Sequence, residues 1–386
     1  MKRVKLLLSI PLLFATLLLL WAVATPADND PLGEYPLITT ITTPKGTTSF
    51  DISWVDSESG RYFLADKTAA GVSVFDAEHD AFLYTLEGFV GITADRTLGG
   101  PNGVVVIHKG NRFFGDRDDR GRSEVWAGDG VPSGATSTVK VFDLASKSMV
   151  RSISTGGNHR ADELAYDSAD QIILIANDAD TPAPFVTFIS AAGDPGDYHV
   201  LGKIVYNGMN GAPLSTGGIE QPVWDAHGDK FYISIPSTAA NPNGEVDEID
   251  PHAMKVTRVF GITKIPLCGP AGLALLPGQR LITSCGAVFN AVTGKETAVT
   301  GVSGDEIWYN PGDDRVYFGA QPMPVVDADS LTVVATINDG GTHSVAADSE
   351  NNRIFVPSNA IGTTTPPATG VQVFTEDENL ERHDRR

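Results

Sequence analysis

Polar side chains recur at one position of a repeated sequence phrase, and their types could bind a cation or transfer a proton. The phrase is a short apolar strand that recurs seven times, and it ends in Asp or in the residue at the matching position. Five residues before that end, the seven copies carry Asp51, Asn102, Asp162, Glu220, Ala271, Asp305 and His343. All but Ala271 can coordinate a cation or form a hydrogen bond through the side chain. Carboxylates that converge in a folded protein repel one another unless a cation, a proton or a hydrogen-bonding ligand lies between them. The pattern therefore predicts a binding site for a small molecule, a metal ion or both.

A divalent metal ion is one way to hold such a group of residues together. Oxygen ligands from Asp, Glu and Asn suit Ca²⁺, Mg²⁺ or Mn²⁺, whereas a histidine ligand favours Zn²⁺ or Mn²⁺. We expect at most one divalent cation as a cofactor. The candidate metal ligands are Asn102, Asp162, Glu220, Asp305 and His343.

Acid–base catalysis is a second chemistry open to these residues, since a carboxyl group among other carboxyl groups has a raised pKa and can act as a general base. A metal ion beside it could polarise a carbonyl group or activate water. The candidate catalytic residues are Glu220, Asp305, Glu306 and His343. The candidate ligand-binding residues are Asp51, Asn102, Asp162, Glu163, Gln221 and His159. A purely structural role stays open for all of them, because Asp and Asn near strand starts often bond turn amides around ordered water.

The strand register at three of these positions also stays open. A shift by one residue turns a side chain to the opposite face of a sheet. Three residues could therefore replace their predecessors at the site: Glu163 for Asp162, Gln221 for Glu220 and Glu306 for Asp305. His159 lies in the loop that enters the third repeat and could reach the same rim.

Several familiar catalytic motifs are absent. The sequence contains no GxSxG, HExxH, P-loop or GxGxxG pattern, so serine hydrolases, zincins and nucleotide-binding loops lack support. Cys268 and Cys285 are the only cysteines, and they flank a predicted hairpin whose turn lies near residues 276–277. We expect them to form a disulfide bond, which an exported protein can keep.

The elements that position these residues are repeated pairs of short apolar strands. Apolar and polar residues alternate within each strand, with a period of two, and turn residues separate the strands. Four copies are clear, at 162–178, 220–236, 305–320 and 343–359, and three are weaker, at 51–66, 102–129 and 271–285. A third strand follows each copy, and six copies have a fourth. The sequence therefore predicts seven antiparallel meanders.

The seventh copy lacks a fourth strand, and residues 36–43 (PLITTITT) have the alternation needed to supply it. Such pairing closes the ring and leaves no long edge exposed. We expect an all-β, seven-bladed β-propeller of four-stranded blades over 36–376, with a disordered charged tail over 377–386. The alternatives are a β-solenoid or a pair of β-sandwiches.

The first 27 residues differ from the rest of the chain. A basic start, Met1–Lys5, precedes the apolar stretch 6–23, which is typical of a secretory signal peptide or of an uncleaved N-terminal membrane anchor. Residues 28–35 then form a linker. The net charge of −20 disfavours nucleic-acid partners. We expect an exported monomer, periplasmic or secreted, that contacts a membrane only if the leader is retained.

The phrases LIAND, IFVPSN and YFLAD resemble the repeats of the YncE-like (YVTN-repeat) propellers, over roughly residues 36 to 376. Residues 101–104 (PNGV) are similar to the metal-binding strand start of the SMP-30/gluconolactonase propellers. The chain departs from the first family in an insertion at 112–122 and a shortened fifth blade. The resemblance implies a propeller, and lactonase-like, haem-binding and purely binding members all share these repeats.

Three functions follow as hypotheses. The first is a small-molecule enzyme of the lactonase, lyase or cyclase type, acting at an acidic mouth of the central channel with or without a divalent metal. The second is a non-catalytic propeller that binds a protein, glycan or cell-wall partner. The third is a haem-type cofactor-binding propeller in which His343 or His159 ligates the iron.

Overall fold

Apolar and polar residues alternate over short stretches between turns, and each stretch forms one strand of an antiparallel sheet. The computed structural model describes residues 33–110, 121–362 and 368–376. The first strand is β1 (Leu37–Ile41). Blade 1 consists of β2 (Ser53–Asp56), β3 (Arg61–Asp66), β4 (Gly71–Asp76) and β5 (Ala81–Glu87). Blade 2 consists of β6 (Val104–Lys109), β7 (Arg122–Gly128), β8 (Thr138–Asp143) and β9 (Ser148–Ser154).

The remaining blades repeat this arrangement. Blade 3 consists of β10 (Leu164–Asp167), β11 (Ile172–Asn177), β12 (Phe185–Ser190) and β13 (His199–Val205). Blade 4 consists of β14 (Pro222–Asp225), β15 (Lys230–Ile235), β16 (Glu245–Asp250) and β17 (Lys255–Gly261). Blade 5 consists of β18 (Leu273–Leu276), β19 (Arg280–Thr283), β20 (Ala287–Asn290) and β21 (Glu296–Ala298). Blade 6 consists of β22 (Ile307–Asn310), β23 (Arg315–Phe318), β24 (Met323–Asp327) and β25 (Thr332–Ile337).

Blade 7 is completed by the N-terminal strand. It consists of β26 (Ala346–Ala347), β27 (Arg353–Ile361), β28 (Ala368–Thr375) and β1, which pairs antiparallel with β28. Its spatial order is β1-β28-β27-β26, and every sheet has four strands. The predicted seven-bladed, all-β propeller and its closing strand are therefore confirmed. Two short 3-10 helices lie in loops, at Arg96–Leu98 and Pro195–Asp197.

The hydrophobic core lies between successive blades. Phe63 and Val74 of blade 1, for example, pack with Val106 and Val125 of blade 2 in one buried cluster. The face of each sheet thus buries its apolar residues against the next sheet around the ring.

At the inner edge, adjacent blades approach closely enough for backbone hydrogen bonds between inner strands. The amides of Gly103, Gln221, Gly272 and Glu306 donate to the carbonyl oxygens of Asp162, Ala271, Asp305 and His343 respectively, one blade further on. A Cβ atom at Gly272 would lie 2.5 Å from the carbonyl oxygen of Asp305. Glycine at this position therefore permits the close approach.

The cysteines lie at either end of the β18–β19 hairpin, with their Cα atoms 5.4 Å apart. The expected disulfide is confirmed, and it is consistent with an oxidising, exported environment. In the part of the chain that the structure describes, no helix has the length and apolar character needed to cross a membrane.

Some predictions fall outside the described residues. These are the leader at 1–27, most of the linker at 28–35, most of the insertion at 112–122 and the tail at 377–386. The short fifth blade does appear, since its outermost strand β21 has three residues.

Candidate functional site

The start of the inner strands surrounds a polar cavity at one mouth of the central channel. This mouth cavity has a volume of about 310 Å³. Three predicted site residues line it, Asp51, Asp305 and His343, which belong to blades 1, 6 and 7. The other lining residues are Ser49, Phe50, Lys67, Ile92, Thr93, Arg96, Gly99 and Arg160. The charged residues at its surface are therefore of both signs, because Lys67, Arg96 and Arg160 lie beside the predicted acidic residues.

Arg160 joins the carboxylates at the mouth. Its Nε lies 2.7 Å from Oδ2 of Asp162, and its Nη2 lies 3.0 Å from Oδ2 of Asp178. Its Nη1 is 3.6 Å from Oδ2 of Asp51, which also pairs with Lys67. One guanidinium group thus contacts three aspartates from blades 1 and 3, which offsets much of their mutual repulsion.

The environment of Asp51 keeps this residue ionised. Burial alone would raise its pKa, but the positive charges of Lys67 and Arg160 outweigh burial and hold the pKa at about 2. Nε2 of His343 lies 3.9 Å from Oδ1 of Asp51, and its ring stacks on Phe50 with centroids 4.7 Å apart. The imidazole is thereby fixed at the cavity wall.

Other carboxyl groups near the mouth are shifted in the opposite direction. Asp305 is exposed at the cavity surface, but the protein that surrounds its carboxyl group, reinforced by the charge of Asp51, raises its pKa, although His343 partly offsets this. Burial raises the pKa of Glu220 well above its ordinary value, and Asp178 adds to the effect. Burial and the charge of Asp51 do the same for the pKa of Glu306. These groups can therefore hold protons at pH values where exposed carboxyl groups are ionised.

The register question is answered by a second cavity. Glu163 and Gln221 line a larger chamber further along the channel, together with the next residues of six inner strands. Asp305 lines the mouth, whereas Asp162 and Glu220, the alternatives to Glu163 and Gln221, line neither cavity. Glu306 is buried beside the carboxylates of the mouth and lines neither cavity.

Two predicted residues have local partners. The side-chain amide of Asn102 is fully buried and donates to the carbonyl oxygens of Gly99 and Ala161. Nδ1 of His159 lies 3.9 Å from Asp180, and His159 is not among the residues that line the mouth. Asp162, by contrast, stays at the mouth through its pairing with Arg160.

The predicted metal ligands do not form one close group. Among His, Cys, Asp and Glu side chains of the described ranges, the one group of three whose ligand atoms all lie within 4.8 Å of one another is Asp170, Asp229 and His252. That group is exposed and lies on the turns of blades 3 and 4, away from the channel mouth. It was not predicted from the sequence.

Lys67, Arg96 and Arg160 are site residues that the sequence analysis missed. They come from loops rather than from the repeated position at the strand starts. The one available signal was the spacing of Arg160 in the phrase NHRADE, two residues before Asp162.

Comparison with protein-family models and with curated proteins found no match to this chain. The structure thus shows a seven-bladed propeller, and the resemblance to YVTN-repeat propellers stays a prediction from the sequence phrases.

Proposed function

We propose that the mouth cavity binds a small polar molecule and that Asp305 and His343 exchange protons with it. The main support is the convergence of both residues with Asp51, Lys67 and Arg160 around one cavity of about 310 Å³. A concave site of this size with few, fixed polar groups is typical of small-molecule binding.

The charges at the cavity favour a ligand with an anionic group and hydroxyl groups. Arg96 is exposed at the wall, and its guanidinium makes no ion pair with any described residue. It can therefore bind a carboxylate of the ligand. Asp51 is ionised and can accept hydrogen bonds from hydroxyl groups. A hydroxy acid has this combination of groups, and its lactone, which lacks the free carboxylate, presents an ester carbonyl in its place.

Lactone opening is a reaction that the residues could perform. His343 would remove a proton from water as the water oxygen bonds to the lactone carbonyl carbon. The carbonyl oxygen then gains negative charge, which Lys67 and Arg160 would stabilise. When the ring C–O bond breaks, Asp305, whose pKa burial raises, would donate a proton to the leaving oxygen. One water is consumed and one hydroxy acid forms.

The test is a screen of soluble lactones and hydroxy acids by thermal shift and by acid release. A ligand at about 100 times its Kd should stabilise the protein by about 2.7 kcal/mol. His343→Gln should lose acid release, and Asp305→Asn should lower it. His252→Gln is the matched control, because His252 also faces two carboxylates but lies outside the channel. Equal loss in the control, or no response to any compound, would contradict the proposal.

A divalent cation at the same mouth is a second proposal. Asp305 and Glu220 form no ion pair with a described Lys, Arg or His side chain, and burial raises the pKa of both. A cation bound beside either carboxylate would lower its pKa and stabilise the folded state. A melting temperature that falls on adding EDTA, and no longer does so in Glu220→Gln, would support it. A melting temperature that EDTA does not change would exclude a bound divalent cation.

A further inference from the structure

A second cavity lies within the central channel, and its lining differs from that of the mouth. This channel chamber has a volume of about 390 Å³. Its walls are formed by residues of the inner strands of blades 1 to 6, and it shares no lining residue with the mouth cavity. It can therefore be considered independently of the function proposed for the mouth.

Aromatic rings form much of the chamber wall. The rings belong to Trp54, Tyr166, Trp224, Trp308 and Tyr309. Each is only half-buried, so part of its surface remains open. Trp54 and Trp308 meet edge to face with centroids 5.2 Å apart. Nε1 of Trp224 and Nε1 of Trp308 have no hydrogen-bond partner among the described residues. These indoles pack against the core between blades and also leave part of their surface open to the chamber.

One carboxyl group lines this aromatic chamber, beside the phenol groups of Tyr166 and Tyr309. Glu163 is 6% exposed, and its Oε2 has no hydrogen-bond partner in the described part of the chain. No described cation pairs with it, since Arg160 is directed to Asp162 and its neighbours. A buried carboxyl group without a partner is costly unless it is protonated or meets a cation.

Two other polar side chains of the chamber have hydrogen-bond partners. Oε1 of Gln221 accepts a hydrogen bond from the amide of Leu273 at 2.8 Å. Oγ of Ser53 and Oγ of Ser344 form a hydrogen bond of 3.0 Å. Glu163 is therefore the group that a ligand would most need to satisfy.

We infer that the channel chamber binds a small organic cation with an apolar body, such as a quaternary ammonium compound. The faces of tryptophan and tyrosine attract such a cation, and its methyl groups pack against the same rings. Glu163 supplies the counter-charge. An inorganic divalent ion would lack oxygen ligands on most of this wall, and a neutral apolar molecule would offer Glu163 no charge to pair with.

The experiment compares choline with its neutral isostere, 3,3-dimethylbutan-1-ol, on the full chain. Isothermal titration calorimetry and tryptophan fluorescence should give a Kd for choline of about 1 mM or tighter. The isostere should bind at least about tenfold more weakly, because it lacks the charge. The absence of choline binding, or equal binding of the isostere, would overturn the inference. This comparison needs no variant and so does not depend on how any substitution affects folding.

Variants then locate the site. Glu163→Gln should weaken choline binding about tenfold and leave the isostere unchanged, since only the charge is removed. Asp247→Asn is the matched control, because Asp247 is a buried carboxyl group of blade 4 that lines neither cavity. His343→Gln at the mouth should also leave choline binding unchanged. Full choline affinity in Glu163→Gln, or its loss in His343→Gln, would overturn the assignment to the chamber.

Discussion

Asp247 is a buried acid outside the two cavities, and its ionisation should make stability depend on pH. It has no exposed surface, and burial followed by the charge of Glu245 raises its pKa well above the ordinary value. In the unfolded chain Asp247 ionises at its ordinary pKa, whereas in the folded state it keeps its proton to a higher pH. Its contribution to stability is therefore full at low pH and is lost as pH rises through the folded pKa.

We therefore predict that Asp247→Asn stabilises the protein at pH 8. At this pH the wild-type carboxyl group must either be buried in its ionised form or keep a proton that the unfolded chain releases, and both cost free energy. The expected gain is roughly 1–3 kcal/mol, measured by urea unfolding at pH 5 and pH 8. Asp250→Asn is the control in the same strand. Hydrogen bonds from backbone amides, first that of Ala253, lower the pKa of Asp250, so this variant should be slightly destabilised at pH 8. A loss of stability in Asp247→Asn at pH 8 would show that Asp247 stabilises the fold in its ionised form.

At the level of single residues, the sequence predicts the acidic part of the site better than the basic part. Asp51, Asp305 and His343 occupy one repeated position, so their meeting follows from the symmetry of the blades. Lys67 and Arg160 come from loops that differ between repeats. Whether a long side chain in a loop reaches a neighbouring blade depends on the conformation of the loop. The repeat pattern gives no information about that conformation.

At the level of strands, Gly272 offers a test of how closely neighbouring blades must approach. A Cβ atom there would lie 2.5 Å from the Asp305 carbonyl oxygen, which accepts a hydrogen bond from the Gly272 amide at 2.7 Å. We predict that Gly272→Ala destabilises the protein by roughly 2 kcal/mol or more, since backbone atoms cannot move aside cheaply. Gly196→Ala is the control, because nothing lies within 4 Å of a Cβ atom there. Equal urea midpoints for both variants would contradict this account.

Strand positions follow well from alternation, whereas strand starts do not. The third strands of blades 1, 3 and 4, at Gly71–Asp76, Phe185–Ser190 and Glu245–Asp250, follow the copies as predicted. The inner strands of blades 3 and 4 begin only at Leu164 and Pro222, after the polar residues. Those polar residues precede the hydrogen-bonded strands. The alternation of side chains between the two faces of a strand therefore could not show which way they point.

At the level of the whole molecule, ring closure was predictable because one repeat lacked a strand. A sheet with an open edge invites pairing with another chain, and residues 36–43 had the pattern to prevent this. The chamber was less predictable. It depends on the width of a ring of seven blades and on which rings point inward, and both follow from packing between distant segments.

The seam formed by the pairing of β1 with β28, which completes blade 7 and closes the ring, can be tested with two substitutions in β1. Ile41 is 6% exposed and packs with Val371 and Val373 of blade 7 and with Phe75 of blade 1, whereas Leu37 is 48% exposed. Ile41→Asp places a carboxyl group in the seam without a partner, so it should destabilise the protein by about 3 kcal/mol or more. Leu37→Asp should change stability by no more than about 0.5 kcal/mol. Urea unfolding measures the free energy of unfolding of both variants.

Because loss of β1 exposes the edge of β28, Ile41→Asp should also aggregate, which would appear as light scattering that increases with protein concentration. If both variants keep the wild-type midpoint and stay monodisperse, the ring does not depend on this strand, and blade 7 would be stable with three.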